Sequence, residues 1–179
     1  ETTMKNLEEQ TIQDREIIHY VTVKSKLGPV MVAQSAKGIA AVLLNDEPAA
    51  MFADLQDIFP KAFLKEGEGM MDKTAAKVAR HIEDPRGSID VPLDIRGTDF
   101  EKKVWDTLCK IPAGKTMSYS RIAHTINLPG AARAVGSACG KNVLAVLIPC
   151  HRAVRSDGKI SGYRWGPDLK RVILSMEAA

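Results

Sequence analysis

Hydrophobic and polar positions alternate in three short runs near the start of the chain: Ile17–Val23, Val30–Ala33 and Ile39–Leu44. Gly28-Pro29 and Lys37-Gly38 punctuate them, a pattern that predicts a three-stranded antiparallel meander. The period then lengthens. Phe52, Leu55 and Phe59 share one helical face before Pro60 ends it, and Ala75, Val78, Ala79 and Ile82 predict a second helix over about 72–83. Asp84-Pro85-Arg86-Gly87 signals a turn. Ile89, Val91, Leu93 and Ile95 then alternate with Asp90, Pro92 and Asp94, an extended half-buried connector in which Pro92 permits at most an edge strand.

Beyond this connector the pattern is mainly helical. Thr98 and Glu101 form a capping box ahead of Phe100, Val104, Trp105 and Leu108. Pro112-Ala113-Gly114 breaks the chain, and short helices are predicted over about 118–126 (Ile122, Ala123 and Ile126 inward) and 131–139. The turn Asn127-Leu128-Pro129-Gly130 separates them. The apolar run Val143–Ile148 leads straight into Pro149-Cys150-His151-Arg152. After the turn Ser156-Asp157-Gly158-Lys159, a last helix follows Pro167 with Leu169, Val172, Ile173 and Met176 at helical spacing. Residues 1–15 are polar and aperiodic, so a flexible segment is expected there; the start without Met hints at a piece cut from a longer protein.

Charge changes the picture. Residues 1–95 hold 11 Lys/Arg against 16 Asp/Glu, whereas residues 96–179 hold 14 against 6. A basic second half suits a polyanion such as nucleic acid, although a solvated surface with charge scattered by chance gives the same count. The sign changes near the connector, which places a domain boundary there. No apolar run approaches the roughly 18 residues needed to span a bilayer, and the polar start carries no signal-peptide pattern, so a cytosolic chain is expected. Three cysteines, Cys109, Cys139 and Cys150, cannot all pair and show no C-x-x-C spacing. A disulfide framework or structural zinc site is thereby disfavoured, and a free, functional thiol becomes plausible.

Two short helices joined by a Pro-Gly turn resemble a helix-turn-helix. In the second, Ala131, Ala134, Val135 and Ala138 form an inward stripe, leaving Arg133, Gly136, Ser137 and Gly140 outside. Small residues on that outer side let the backbone press against another surface. If that surface is DNA, Arg133 is the one long side chain available for insertion; the alternative is a tightly packed core helix with a solvated Arg. Cys150 is the strongest candidate nucleophile, since a thiol reacts as its thiolate and neighbouring His151 and Arg152 are cations that lower a thiol pKa. Most single cysteines are inert and buried, and composition alone favours that reading. The sequence Pro-Cys-His-Arg does not.

Asn142 followed by Ile148-Pro149-Cys150-His151-Arg152, with Ser118-Tyr119 upstream and Gly162-Tyr163 downstream, resembles the O6-alkylguanine-DNA alkyltransferase (methylated-DNA–protein-cysteine methyltransferase) family. Leu93-Asp94-Ile95-Arg96-Gly97-Thr98 and Tyr163-Arg164-Trp165-Gly166 are similar, more narrowly, to the C-terminal domain of its Ada-type branch. The resemblance is densest over about 93–177. Beyond the flexible segment 1–15, it implies a ribonuclease H-like α/β domain with a three-stranded antiparallel sheet over 16–92, and a mostly helical, winged-helix-like domain over 93–179.

The resemblance also implies roles. Cys150 is the alkyl acceptor; His151 takes the thiol proton through a bound water; Glu177 orients the imidazole; Asn142 braces the turn beside the active-site segment. Arg133 fills the gap left by a flipped base, Tyr119 helps rotate the nucleotide out and protonates the leaving guanine, and Ala134 and Gly136 sit against the minor groove. Cys139, Val154, Tyr163 and the backbone at Arg164 line the guanine pocket. The implied partner is double-stranded DNA containing O6-alkylguanine, with O4-alkylthymine as a further substrate, met by a monomer that needs no metal or organic cofactor. The methyl group lies inside the stack, so the base must be flipped out. Trp165 stands where relatives carry a smaller residue, so bulky adducts are expected to fit poorly. Three competing readings are a lesion binder without transfer activity, a transcription regulator and a cysteine hydrolase. The first lacks the reactive Cys, the second works through a cysteine-rich zinc module although residues 1–108 contain no Cys, and the third has no matching signature.

Overall fold

A computed structural model describes residues 14–179, so most of the expected flexible segment 1–15 lies outside the described residues. Strands β1 (Ile17–Ser25), β2 (Gly28–Ser35) and β3 (Gly38–Leu44) form an antiparallel meander. Each tight turn is closed by a serine. Ser25 Oγ donates to Gly28 O at 3.0 Å and accepts from Leu27 N at 3.0 Å; Ser35 Oγ accepts from Lys37 N at 3.1 Å. Gly38 has φ +147, and a Cβ there would lie 2.4 Å from Pro92 O, so the connector can pass only because the residue is glycine.

The sheet is larger than the hydrophobic pattern indicates. After helix α1 (Pro48–Ile58), strand β4 (Phe63–Glu66) runs parallel to β1, giving a mixed four-stranded sheet in the order β3-β2-β1-β4. This corrects the expectation of a three-stranded antiparallel sheet. The sequence Phe63-Leu64-Lys65-Glu66 is short and does not alternate; its pairing with Ile17–Tyr20 is a long-range contact with no local signature.

Strands β2 and β3 are buried on both faces. Met31, Ala33, Ala41 and Leu43 pack under α1 with Met51, Leu55 and Phe59. The opposite face carries Val30, Val32, Val42 and Leu44, packed with Ala75, Val78 and Ile82 of α2 (Asp72–Glu83) and continuous with the core of the helical half.

That half comprises α3 (Asp99–Cys109), α4 (Tyr119–Thr125), α5 (Ala132–Gly140) and α6 (Pro167–Ala178), with β5 (Met117–Ser118) pairing parallel to β6 (Ala153–Val154). The capping box at α3 is formed: Glu101 N donates to Thr98 Oγ1 at 3.2 Å, and Thr98 N to Glu101 Oε1 at 3.1 Å. Trp105 Nε1 donates to Ala138 O at 3.0 Å, tying α3 to α5.

Two segments seal the free edge of β3. The connector docks through Ile39 N to Pro92 O at 2.9 Å and Asp94 N to Ile39 O at 2.8 Å, without forming a strand of its own. Further along, Val42 N donates to Val143 O at 2.8 Å and Ala145 N to Val42 O at 3.0 Å. The segment leading to Cys150 is therefore seated on the sheet. No helix among the described residues is long and apolar enough to cross a membrane.

Candidate active site

After that docking, the chain from Leu144 to Pro149 folds into a tight turn rather than a strand. Val146 has φ +67, an unfavourable conformation for a β-branched residue, costing on the order of 1–3 kcal/mol. The side chain of buried Asn142 holds the turn from both ends: Oδ1 accepts from Leu144 N at 2.9 Å, and Nδ2 donates to Ile148 O at 2.9 Å. Pro149 then precedes a single 3-10 turn, Cys150–Arg152. With about three residues per turn, the side chains of Cys150 and His151 diverge by about a third of a circle. The thiol faces a cavity and the imidazole lies in the core behind it.

His151 is fully buried. Its Nε2 lies 2.6 Å from Glu177 Oε1 on α6, and since a carboxylate only accepts, Nε2 carries the proton. Arg152 donates to the same carboxylate, Nη2 to Oε1 at 2.8 Å and Nε to Oε2 at 3.1 Å, and its Nη1 donates to Ile111 O at 2.6 Å. Burial raises the Glu177 carboxyl, but the hydrogen bonds from His151 and Arg152 win and hold it at about 2, fully ionised at neutral pH. Burial lowers the His151 pKa against the opposing pull of Glu177, so the imidazole rests neutral. Its Nδ1 is buried without a hydrogen-bond partner among the described residues, leaving a free lone pair.

Cys150 is 4% exposed. Burial pushes its thiol well up, and the neighbouring Cys139 thiol pushes in the same direction, so at rest the sulfur is protonated and reaction requires a base. Cys150 shares a cavity of about 230 Å³ with Tyr119, Gly136, Cys139, Gly140, Gly162, Tyr163 and Arg164. That volume is below the roughly 300–1,000 Å³ of pockets for drug-sized ligands, and suits one small flat group. Tyr163 stands edge-on to His151, centroids 6.5 Å apart, with its hydroxyl buried and unpaired among the described residues.

Outside the cavity runs an open groove of about 540 Å³ lined by Tyr119, Ser120, Ala132, Arg133, Gly136, Arg155, Ser156 and Asp157. Tyr119 and Gly136 belong to both spaces. Arg133 is exposed on the outer side of α5. A Cβ added at Gly136 or Gly140 would meet nothing within 4 Å, so the fold itself does not require glycine at either place.

Residues 99–179 match the family model described as 6-O-methylguanine DNA methyltransferase, DNA binding domain. The inducible methylated-DNA–protein-cysteine methyltransferase of Bacillus subtilis is 37% identical over 147 residues, covering 82% of each chain. The chain belongs to the methylated-DNA–protein-cysteine methyltransferase family. The bifunctional transcriptional activator/DNA repair enzyme Ada of Escherichia coli is 43% identical over 161 residues, 90% of this chain and 46% of that protein. The chain thus spans about half the length of the Ada proteins it matches. Mycobacterium tuberculosis OGT in complex with DNA superposes with a TM-score of 0.75 at 34% identity, covering 89% of this chain and 92% of that one.

In this family member the fold brings together most of the residues singled out by sequence. Cys150, Tyr119, Gly136, Cys139, Tyr163 and Arg164 line one cavity, with His151, Glu177 and Asn142 behind it. Val154 is buried in β6 and is not among the cavity's lining residues. Ala134 is exposed instead of facing inward; the buried side of α5 is Val135, Ala138 and Cys139. On α6, Val172 is 47% exposed, and the inward stripe is Lys170, Ile173 and Glu177.

Lys170 escaped the sequence reading. It is 0% exposed, and its ammonium donates to Ala153 O at 2.6 Å, Gly162 O at 3.4 Å and the Tyr119 hydroxyl at 3.4 Å. The Tyr119 hydroxyl in turn shares a 2.5 Å hydrogen bond with Ser161. The available signal was a spacing: Lys170 and Glu177 lie seven apart, two polar residues on one face with Ile173 between them. No group of three or more His, Cys, Asp or Glu side chains among the described residues is placed to hold a metal ion.

Proposed function

We propose that this chain repairs alkylated DNA directly, by irreversible transfer of an alkyl group from O6-alkylguanine, and also from O4-alkylthymine, to its own Cys150. The observation that carries the reading is the buried Cys150 thiol on a base-sized cavity, with the His151 imidazole behind it and its Nε2 fixed on Glu177. His151 Nδ1 takes the thiol proton through a bridging water, and Glu177 stabilises the imidazolium that forms. The thiolate attacks the O6-bound carbon; the S–C bond forms as the C–O bond breaks, and the electron pair leaves with guanine. Tyr119, polarised by the Lys170 ammonium on its oxygen, supplies the proton to the departing base. A thioether offers water no ready leaving group, so each molecule acts once. No step calls for a cofactor.

Access demands that the nucleotide leave the stack, at a cost of a few kcal/mol. The α4–α5 pair forms the docking unit, a helix-turn-helix completed by β5 and β6 in the manner of a winged helix. The outer side of α5, with exposed Ala134 and small Gly136, lies in the minor groove. Arg133 enters the duplex where the base has left, and Tyr119, at the boundary between groove and cavity, turns the nucleotide inward. Tyr163 and Cys139 face the flipped base, and Val154 supports the pocket from β6. We read residues 16–92 as a ribonuclease H-like unit and 93–179 as the unit for DNA binding and transfer, in a monomer acting on cytoplasmic, nucleoid DNA.

The test is intact-protein mass after incubation with a duplex carrying one O6-methylguanine, with Cys150→Ala as control. A gain of one methylene mass per molecule, absent in the variant, is expected. Tight lesion binding with no mass change would mean a sensor and would refute the transfer chemistry.

A further inference from the structure

The segment Gly162–Trp165 is a partition between two spaces. On one side Gly162, Tyr163 and Arg164 line the Cys150 cavity. On the other, Arg164 and Trp165 line a cavity of about 450 Å³ shared with Asp46, Ala50 and Asp54 of the sheet half and with Leu169 of α6. Tyr163 and Trp165 pack against the core, whereas Arg164 is exposed between the two spaces, so the position of the wall at Arg164 depends on discrete tethers. Arg164 supplies two. Its Nη1 donates to Gly140 O at 3.3 Å, at the C-terminal end of α5, and its Nη2 to Asp54 Oδ1 on α1 at 3.0 Å. Gly140 is itself a wall of the Cys150 cavity, so the guanidinium spans that wall and is anchored to the opposite half of the molecule. The paired side chains are 27% and 37% exposed, partly withdrawn from water. Trp165 extends the link, standing edge-on to Tyr163 at 5.2 Å and packing against both hydrophobic clusters.

All the lining residues of the Cys150 cavity come from the helical half. We propose that Asp54, outside that cavity, is a positioning residue: through Arg164 it fixes where the Gly162–Trp165 wall stands and so limits the size of the alkyl group that reaches Cys150. The inference rests on alkyl transfer to Cys150, and it gives the sheet half a part in substrate selection.

The test compares single-turnover transfer from duplexes containing O6-methylguanine or O6-benzylguanine, followed by intact-protein mass, in the full chain. The variants are Asp54→Ala, Asp54→Arg, Arg164→Asp and the reversed pair Asp54→Arg/Arg164→Asp, each checked by thermal melting. The benzyl-to-methyl rate ratio is expected to rise about threefold or more in Asp54→Ala, the scale set by a partly exposed ion pair. The reversed pair regains the ion pair but not the bond to Gly140 O, so it is expected to return the ratio part of the way towards wild type, while either single reversal does not. An unchanged ratio in Asp54→Ala, or equal losses of both rates, overturns the assignment, because a merely structural carboxylate moves the rates together. A wild-type chain that gains no methyl mass overturns the transfer reading itself, and the role of Asp54 with it.

Discussion

Gly136 offers a prediction in which stability and binding move in opposite directions. It sits in the middle of α5, where glycine is less favourable than alanine by about 0.8–1.0 kcal/mol, and a Cβ there would meet nothing within 4 Å. Gly136→Ala therefore relieves a backbone cost with no clash and is expected to stabilise the free protein by roughly 0.5–1 kcal/mol. For a chain of this length that is about 1–4 °C in melting temperature. If the α5 face presses on a minor groove, the added methyl must be accommodated between two backbones, an overpacking cost of about 1–3 kcal/mol. The dissociation constant for undamaged duplex should then rise about five- to 140-fold. Thermal melting without DNA and a fluorescence anisotropy titration read the two halves separately. A destabilised free variant would show that the open space at Gly136 is already spoken for. A stabilised variant that binds DNA as well as wild type would refute the docking of DNA on this face.

Three further outcomes follow from the buried polar groups and from α5. Glu177 has a folded pKa of about 2, below its ordinary value, so its stabilisation is complete above about pH 4.5 and is lost as pH falls towards 2, a difference on the order of 3 kcal/mol. Glu177→Gln should lower stability at neutral pH and flatten its decline between about pH 4.5 and 2, as measured by denaturant unfolding across that window; a wild-type-shaped profile would exclude Glu177 as the ionised partner. Lys170→Met keeps the shape of the side chain but removes the ammonium from Tyr119 and leaves the buried Ala153 carbonyl without its donor, so stability should fall by about 1–3 kcal/mol, and single-turnover transfer by the fraction still folded should slow by about tenfold or more. A rate equal to wild type would remove Lys170 from the proton-donating network. Arg133→Ala should slow transfer from a lesion duplex, measured by rapid-quench, by a larger factor than it weakens binding to undamaged duplex; equal factors would make Arg133 an ordinary phosphate contact.

Local signals were legible. Thr98 with Glu101 identified the start of α3, Pro167 the start of α6, and alternation the three strands of the meander. What depends on distant contact was not. Strand β4 has four residues and no period, and exists because β1 offers its edge. Counting apolar residues on α6 favoured Val172, whereas the fold turns Lys170 inward because its ammonium meets Ala153 and Gly162 carbonyls from elsewhere in the chain. The same is true of Ala134, displaced from the buried side of α5 by Cys139. Within the site, the Pro-Cys-His-Arg motif pointed to Cys150, which the fold sets on a cavity, but the positive φ of Val146 and its bracing by Asn142 are tertiary facts. The Arg164–Asp54 pair joins residues 110 apart, a separation at which no local pattern operates.

The sealing of β3 by two separate segments binds the fate of the sheet to that of the reactive turn. An uncovered apolar edge strand is a template for pairing with other chains, and here its cover is supplied at Val42 by the very residues that deliver Cys150. Loosening the turn around Cys150 therefore bares a sticky edge in the other half of the molecule, while loosening β3 unseats Cys150. A substitution at either place therefore reaches the other, and a loss of solubility and a displaced Cys150 become two symptoms of the same lesion.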